Sequence, residues 1–482
     1  MIDRREILDA AKRFGLNPSV VEKDYALGWA LAGIYAHPDL APHWVFKGGT
    51  CLKKCYFETY RFSEDLDFTL KEESHLDETF LRRIFADVSE WIYEQSGLEF
   101  PAGQQSFEML TNPRGNLSCQ GKLSYRGPVS PNSGGLPRIK LDLTADERIV
   151  LDPVEVAIFH PYTDAPPEGI SVLAYAYEET FAEKIRALAE RTRPRDLYDV
   201  VNLFRNEDAR PEPALILDVL RQKCDFKGIL VPREGDFDPH RADLEAAWQG
   251  MLAHQLPALP PVGAFWNALP EFFRWLTTGE APARPVAYAM AGGDTLIRER
   301  QLPPGIMSAA ASAMEIIRFS AANRLCVDLD YQGRTRRIEP YSLRRTMAGD
   351  IILHAWSRDA NEHRSYRLDR IQGARSTSET FVPRYAVELT PSGPISIPAA
   401  AHSGSGSFGF GGATPRAVRP PKPRGLPASK RQPSFGPTYI YRCPVCRKKF
   451  SRRMPSSALN SHNSPNGFPC PGRTGFLVET KY

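Results

Sequence analysis

Apolar residues recur at helical period through residues 3–15 (DRREILDAAKRFG) and again through residues 18–36 (PSVVEKDYALGWALAGIYA), which predicts two helices at the start of the chain. The run WVFKGGT then reads as a strand entering a glycine turn. Strict alternation follows at Asp65-Leu-Asp-Phe-Thr-Leu and at Arg138-Ile-Lys-Leu-Asp-Leu-Thr, each predicting a strand with one polar and one apolar face. Between Glu178 and Leu203 the period returns to helical and is interrupted near Pro194, where the ring removes an N–H donor, so two helices joined by a short elbow are expected. Residues 1–279 therefore read as one mixed α/β domain.

Pro, Gly and Ala crowd the next stretch, and residues 280–307 read as a linker. A helix near Ser308–Arg318 and β-like runs at Leu325–Tyr331 and Ile351–Trp356 predict a small, mostly β domain over residues 308–391. Residues 392–437 are rich in Pro, Gly, Ser and basic groups and hold too few large apolar side chains to build a core, so they are expected to act as a flexible tether. Aromatic residues and cysteines return over 438–482, and no internal repeat is evident. A length of 482 residues agrees with several domains.

Composition excludes some classes of function. With 42% hydrophobic and 24% charged residues the chain reads as an ordinary soluble protein, and no apolar run approaches the roughly 20 residues of a membrane span. The opening MIDRREILDA lacks the apolar core of a secretory signal and the cysteines show no disulfide-framework spacing, so a reducing cytoplasm is expected. The net charge of +4 is unevenly spread: residues 395–482 carry 14 Lys/Arg against one acid, Glu479. That basic tail is the natural place for polyanion contact.

Candidate chemistry centres on Asp65 and Asp67. Two residues apart on a strand, they point to the same face, with Leu66 turned away. Hard divalent cations take oxygen ligands and bridge carboxylates to phosphates, so Asp142 on a neighbouring strand is the expected third acid. Gly48 and Gly49 permit close approach of phosphates, with Thr50 and Lys53 adding a hydroxyl and a cation. Taken singly, a D-x-D pair is as readily a solvated strand edge and a Gly pair a hairpin turn; the combination is what points to a site.

Read in order, GGTCLKK, RFSEDLDF, IKLDLT, EETFAEKIRAL and R-x-x-x-RDLYD resemble the abortive-infection AbiEii/AbiGii nucleotidyltransferase toxins of bacterial type IV toxin–antitoxin systems, over roughly residues 15–279. The resemblance implies a DNA polymerase β-like nucleotidyltransferase fold, NTP as substrate, Mg²⁺ or Mn²⁺ as cofactor, and a cognate antitoxin as partner. It also implies an acceptor that in some relatives is a tRNA end. By motif matching, Gly48, Gly49, Thr50, Ser63, Asp65 and Asp67 would form the nucleotide and metal site, Lys184 would contact phosphates, and Asp196 would belong to the last active-site motif. The spacing from the glycine turn to Asp65 exceeds the general nucleotidyltransferase pattern but suits this subfamily. Lys184 is otherwise an ordinary helix charge, and Arg195 with Asp196 a structural ion pair.

Residues 311–386, from IRFSAANRLCVDLDY through IILHAW and SYRLDRI to FVP, resemble a WYL domain, a small Sm-like β-barrel that senses ligands or nucleic acid; Ile351-Ile352-Leu353 stands where the naming triplet would be. Tyr331, Arg344, Arg345, His354, Arg367 and Arg370 are expected to line its pocket, suited to an anionic ligand; the alternative is a solvated basic face. Near the end, Cys443-Pro-Val-Cys446 with His462 and Cys470 offers the four ligands of a structural Zn²⁺ site in a zinc ribbon, against a redox pair or unliganded thiols. Basic residues interleaved with Tyr439, Tyr441 and Phe450 suit nucleic acid there.

These readings predict a multidomain α/β protein that moves an NMP from an NTP to an acceptor, RNA in the first instance, as a toxin or phage-defence effector. A ligand-responsive nucleic-acid-binding regulator and a transferase acting on protein or a small molecule are the alternatives.

Overall fold

A computed structural model describes residues 1–57, 61–111, 115–130, 135–283, 285–287, 294–297, 308–389, 438–443, 445, 449–452, 457, 459, 462–463, 469–470 and 473–481. Residues 1–400 and 401–482 form two separate compact units. The tether 392–437 lies outside the described residues.

The first unit opens with α1 (Arg4–Phe14) and α2 (Pro18–Ala36), where the periodicity placed them. Asp3 caps α1 by accepting from the Arg5 N–H at 2.9 Å, and Asn17 caps α2. Then follow β1 (Trp44–Lys47), the short helix α3 (Gly48–Cys51), which widens into a π-turn over Leu52–Tyr56, β2 (Asp65–Leu70) and α4 (Glu78–Ser96). Strands β3 (Ser106–Thr111), β4 (Leu117–Ser124), β5 (Arg138–Thr144), β6 (Val154–Ala157) and β7 (Ser171–Ala174) complete a seven-stranded sheet of order β3-β4-β5-β2-β1-β7-β6. The two strands read from alternation, β2 and β5, do sit side by side, and they run parallel.

One face of this sheet is apolar and covered by α2 and α4: Trp44 meets Phe68 and Phe85, and Trp29 meets Trp91. Helices α5 (Tyr177–Arg191), α6 (Pro194–Arg205), α7 (Pro213–Lys227), α8 (Arg241–Leu252), α9 (Val262–Trp266) and α10 (Leu269–Thr278) follow, with the elbow at Thr192–Arg193. Phe181, Phe204, Phe272 and Trp275 knit α5, α6 and α10 together. The Lys223 ammonium of α7 pairs with buried Glu179 of α5 at 2.8 Å.

The second domain of the unit holds β8 (Thr295–Leu296), α11 (Ser308–Ala322) and strands β9 (Leu325–Tyr331), β10 (Arg334–Arg345), β11 (Ile351–Ser357), β12 (Glu362–Arg367) and β13 (Ile371–Thr380). The strands form an antiparallel sheet of order β12-β11-β10-β9-β13, with β8 from the expected linker paired to β10. Among the described residues β12 and β13 end the sheet, so the structure shows a sheet where a closed barrel was expected.

In the second unit β14 (Thr438–Arg442) pairs with β15 (Lys449–Arg452) and β18 (Phe476–Lys481), and β16 (His462–Asn463) with β17 (Pro469–Cys470). Tyr441 and Phe450 face each other across β14 and β15, and Tyr441, Cys443 and Leu459 make a small core. Packing with Cys443 and Leu459 accounts for at least one of the aromatics expected to stack on bases.

Candidate active site

Strand register assembles the site. Lys47 of β1 lies opposite Asp67 of β2, Asp67 opposite Asp142 of β5, and Asp142 opposite Gln120 of β4. Two residues along, Asp65 lies opposite Lys140, and Lys140 opposite Lys122. Directly paired strand residues share a face, so two rows of polar side chains cross the sheet on the face that α2 and α4 leave open. Asp67 and Asp142 lie side by side in the first row, between Lys47 and Gln120, and Asp65 begins the second row beside Lys140 and Lys122.

Burial and mutual repulsion leave the acids costly to ionise. Desolvation and the negative charges of Asp142 and Asp65 hold the Asp67 carboxyl up at about 6, against the opposing pull of Lys47 and Lys184. Burial and Asp65 likewise raise Asp142. Lys47 is itself tied to Glu147 at 3.1 Å, both nearly buried.

The glycine turn is shaped around these groups. Gly48 has φ +82°, and a Cβ there would stand 2.1 Å from Asp67 Oδ2, so both the conformation and the space require glycine. A Cβ on Gly49 would stand 2.6 Å from an Arg61 guanidinium nitrogen and 3.2 Å from Ser63 Oγ. Thr50 donates its hydroxyl to the Asp65 carbonyl, which ties the turn to the start of β2. Ser63 is buried behind Gly49.

Behind the turn, Asp199 of α6 accepts from Arg61 through both oxygens, at 2.7 and 2.8 Å, and pairs with Lys184 of α5 at 2.8 Å. Burial alone would raise the Asp199 carboxyl, but Arg61 and Lys184 outweigh it and hold it far below the usual carboxylate range. Arg61 also donates to Gln255 Oε1 at 3.1 Å. Asp196, one turn earlier, accepts from Arg191 at 2.8 and 2.9 Å. Asp67 and Asp142 both feel the Arg191 charge.

Three sequence expectations change in consequence. Asp196 is fully buried with both oxygens engaged by Arg191, so it orients that arginine and is not a free catalytic carboxylate. The pairing expected between Arg195 and Asp196 is instead made by Arg191, and Arg195 reaches to 3.9 Å from Asp65. Lys53 turns inward to Asp24 at 3.6 Å and the Phe62 ring at 4.0 Å, because helical spacing places it on the side of the turn facing α2.

A cleft of about 390 Å³ opens in front of the acids, lined by Asp65, Gln120, Gly121, Lys122, Lys140, Asp142, Arg193, Arg195 and Met251. A recess of about 250 Å³ shares Asp65, Lys122, Lys140 and Arg195 with it and adds Lys23, Glu64 and Arg138. Most of these cations were missed in the sequence. Their signal was the period-two pattern in which Arg138, Lys140 and Asp142 share one face of β5, and Gln120 and Lys122 one face of β4.

Residues 29–278 match the family model described as nucleotidyl transferase AbiEii toxin, type IV TA system. The chain belongs to this family. Membership makes the chain a nucleotidyltransferase toxin by type, and the type IV system implies an NTP substrate and a cognate antitoxin. Residues 312–376 match the model of the WYL domain, so this family member carries a WYL domain built on the antiparallel sheet. Among solved structures, MenT4, a nucleotidyltransferase toxin from Mycobacterium tuberculosis H37Rv, is similar at 21% identity and a TM-score of 0.36, with 57% of this chain and 90% of that one covered. No curated protein matches the chain.

Elsewhere the expected sites are less gathered. In the WYL domain Arg344 is paired with Glu388, Arg367 with Asp350 and Asp369 at 2.9 Å each, and Arg345 and Arg370 are exposed. Tyr331 packs edge-on against Tyr366, and His354 is buried in a stack with His363. Carboxylates of the segments around the strands, Glu388, Asp350 and Asp369, engage Arg344 and Arg367, so the six residues do not form one free anion pocket. In the second unit His462 and Cys470 are backbone partners across β16 and β17, and Cys443 is buried; Cys446 and the His462 and Cys470 side chains lie outside the described residues. Among the described residues no three His, Cys, Asp or Glu side chains stand in an arrangement that would hold a metal ion, and no helix is long and apolar enough to cross a membrane.

Proposed function

We propose that this protein transfers a nucleoside monophosphate from an NTP to the hydroxyl of an RNA acceptor, a tRNA end in the first instance, at the cleft in front of Asp65, Asp67 and Asp142. The observation that carries the reading is the register that sets Asp67 beside Asp142, and Asp65 two residues along, next to Lys47, Lys140 and Lys122 on the open face of the sheet. A triphosphate carries about four negative charges, and Lys122, Lys140, Arg193 and Arg195 around the cleft match them.

The acids suit a hard divalent cation, since they are oxygen donors only and burial, with the neighbouring charges of Asp142 and Asp65, raises Asp67. The three acids do not stand as a ready three-ligand group, so Asp65, Asp67 and Asp142 would have to draw together on a Mg²⁺ or Mn²⁺ arriving with the NTP, which when bound neutralises triphosphate charge and polarises the phosphoryl oxygens. The chain's own residues do the rest. Gly48 and Gly49 let phosphates approach the backbone, Arg191 is aimed by Asp196, and Lys184 is fixed by Asp199 near Asp67. Asp142 would accept the proton of the acceptor hydroxyl as that oxygen attacks the α-phosphorus and pyrophosphate leaves.

The recess that continues the cleft past Lys23, Arg138 and Lys122 supports a polyanionic acceptor, because these residues extend the positive lining beyond Asp65, Lys23 being paired with Glu64 at 2.7 Å. The WYL domain is read as a ligand sensor and the C-terminal unit as a Zn²⁺-holding nucleic-acid module, together making a cytoplasmic toxin or phage-defence effector. The test is incubation of the full chain with Mg²⁺, each α-labelled NTP in turn and total tRNA. Label entering RNA with wild type and absent with Asp65→Ala supports the assignment. RNA binding without label on RNA, protein or small molecules would favour a nucleic-acid-binding regulator instead.

A further inference from the structure

Helix α6 has two occupied sides. One carries Asp196 and Asp199, which hold Arg191, Lys184 and Arg61 around the cleft. The other carries Tyr198 and Arg205, which pack on Phe265 of α9, with Arg205 donating to the Ala264 carbonyl at 2.7 Å, and the start of the WYL domain reaches this side through Asn323 and Arg324. Asn323, just past the end of α11 and 2% exposed, lies beside the Tyr198 hydroxyl and donates its amide to the Phe319 carbonyl at 2.9 Å. The Tyr198 ring stacks on Phe265 at 5.1 Å.

The chain after α10 is therefore not a detached appendage. Phe319 and Leu325 belong to α11 and β9, yet both are buried in the core of the transferase domain and not in that of the WYL domain. Ile316 of α11 reaches the turn after α1, 3.2 Å from where a Cβ on Gly15 would stand. Across the same junction Arg205 and Arg324 lie close enough to feel each other's charge, and Arg205 Nη1 is buried with no hydrogen-bond partner.

We propose that Asn323 and Phe319 are positioning residues for the transferase site, through which the WYL domain holds α6 in the placement that presents Asp196 and Asp199. The physical basis is rigidity. A 12-residue helix turns as a body, so loosening the hold on Tyr198 rotates its neighbours Asp196 and Asp199 and with them the cations they aim. Misplacement of this kind lowers turnover more than substrate binding, because alignment matters most at the transition state.

The proposal rests on the transferase reading, and its test separates the two. Amide hydrogen exchange over residues 194–205 and over β9–β13, with kcat and KM for the NTP, is measured on the full chain as wild type, Tyr198→Phe, Asn323→Leu, the double variant, and Met347→Ala as an exposed control in the WYL domain. Tyr198→Phe keeps the ring and removes only the hydroxyl, so it remains informative if Asn323→Leu folds poorly. Expected are at least tenfold faster exchange in α6, unchanged exchange in β9–β13, about tenfold lower kcat with KM within twofold, and a double variant no worse than the single ones. Unchanged α6 exchange in Tyr198→Phe and Asn323→Leu would overturn the proposal. A wild-type protein that turns over no NTP removes the transferase reading, while the exchange measurement still decides the coupling.

Discussion

Asp65 is partly exposed at the cleft and Asp67 is set deeper on the same polar face, so replacing either removes charge beside the cleft without opening the apolar core. Asp67→Asn and Asp65→Ala are expected to lower turnover at least a hundredfold while melting within about 2 °C of wild type; a calorimetric scan beside the activity assay checks both halves. Gly48→Ala behaves differently. Its φ of +82° and the 2.1 Å approach to Asp67 Oδ2 cost an alanine strain and displace the carboxylate, so a loss of about 1–3 kcal/mol of stability together with loss of activity is expected from chemical denaturation and turnover. At this scale much was legible: a D-x-D spacing and a Gly pair name their own positions. What the spacing could not show was the fate of charges set by packing. Lys53 and Lys54 both end on Asp24, and Asp196 on Arg191, because burial in this fold demands a partner for each.

Among elements, α6 concentrates the ionic energy. Asp199→Asn leaves Arg61 and Lys184 short of their shared anion in a buried place, which predicts a loss of about 3–5 kcal/mol by urea unfolding. Acid should find the same weakness. Desolvation opposes ionisation of Asp24, but Lys53 and Lys54 prevail and hold it at about 2, and Asp199 is held lower still. A carboxylate depressed from about 3.9 in the unfolded chain stabilises the fold above that pH and loses its contribution as pH falls toward the folded value. Stability is therefore expected to drop by ~2 kcal/mol from Asp24 alone between about pH 4 and pH 2; a flat unfolding curve across that window would contradict the pairing. The helices α1, α2, α5 and α6 and the strands β2 and β5 were legible from period and from Pro194. Strand β4 was not read, since Gly121 and the surrounding polar residues dilute its alternation, and with it went Gln120 and Lys122.

For the whole molecule, Pro, Gly and Ala crowd residues 280–307 in the sequence, and the two family matches, residues 29–278 and 312–376, fall on either side of that stretch within one compact unit. The dependence of one on the other was not legible there. Phe319 and Leu325 look like core residues of the second domain in sequence and are buried in the core of the first. Periodicity reports that a residue is buried but not against what. The same limit applies to the WYL arginines, whose carboxylate partners Glu388 and Asp350 are set by tertiary pairing.

Pyrophosphate release tests the central claim most directly, because it accompanies nucleotidyl transfer whatever the acceptor. The full chain is given Mg²⁺, the four NTPs and total tRNA, beside Asp67→Asn. The site described here predicts tRNA-stimulated pyrophosphate release by wild type with at least one NTP and a loss of at least a hundredfold in the variant; equal release by both proteins, or none by either, would contradict it.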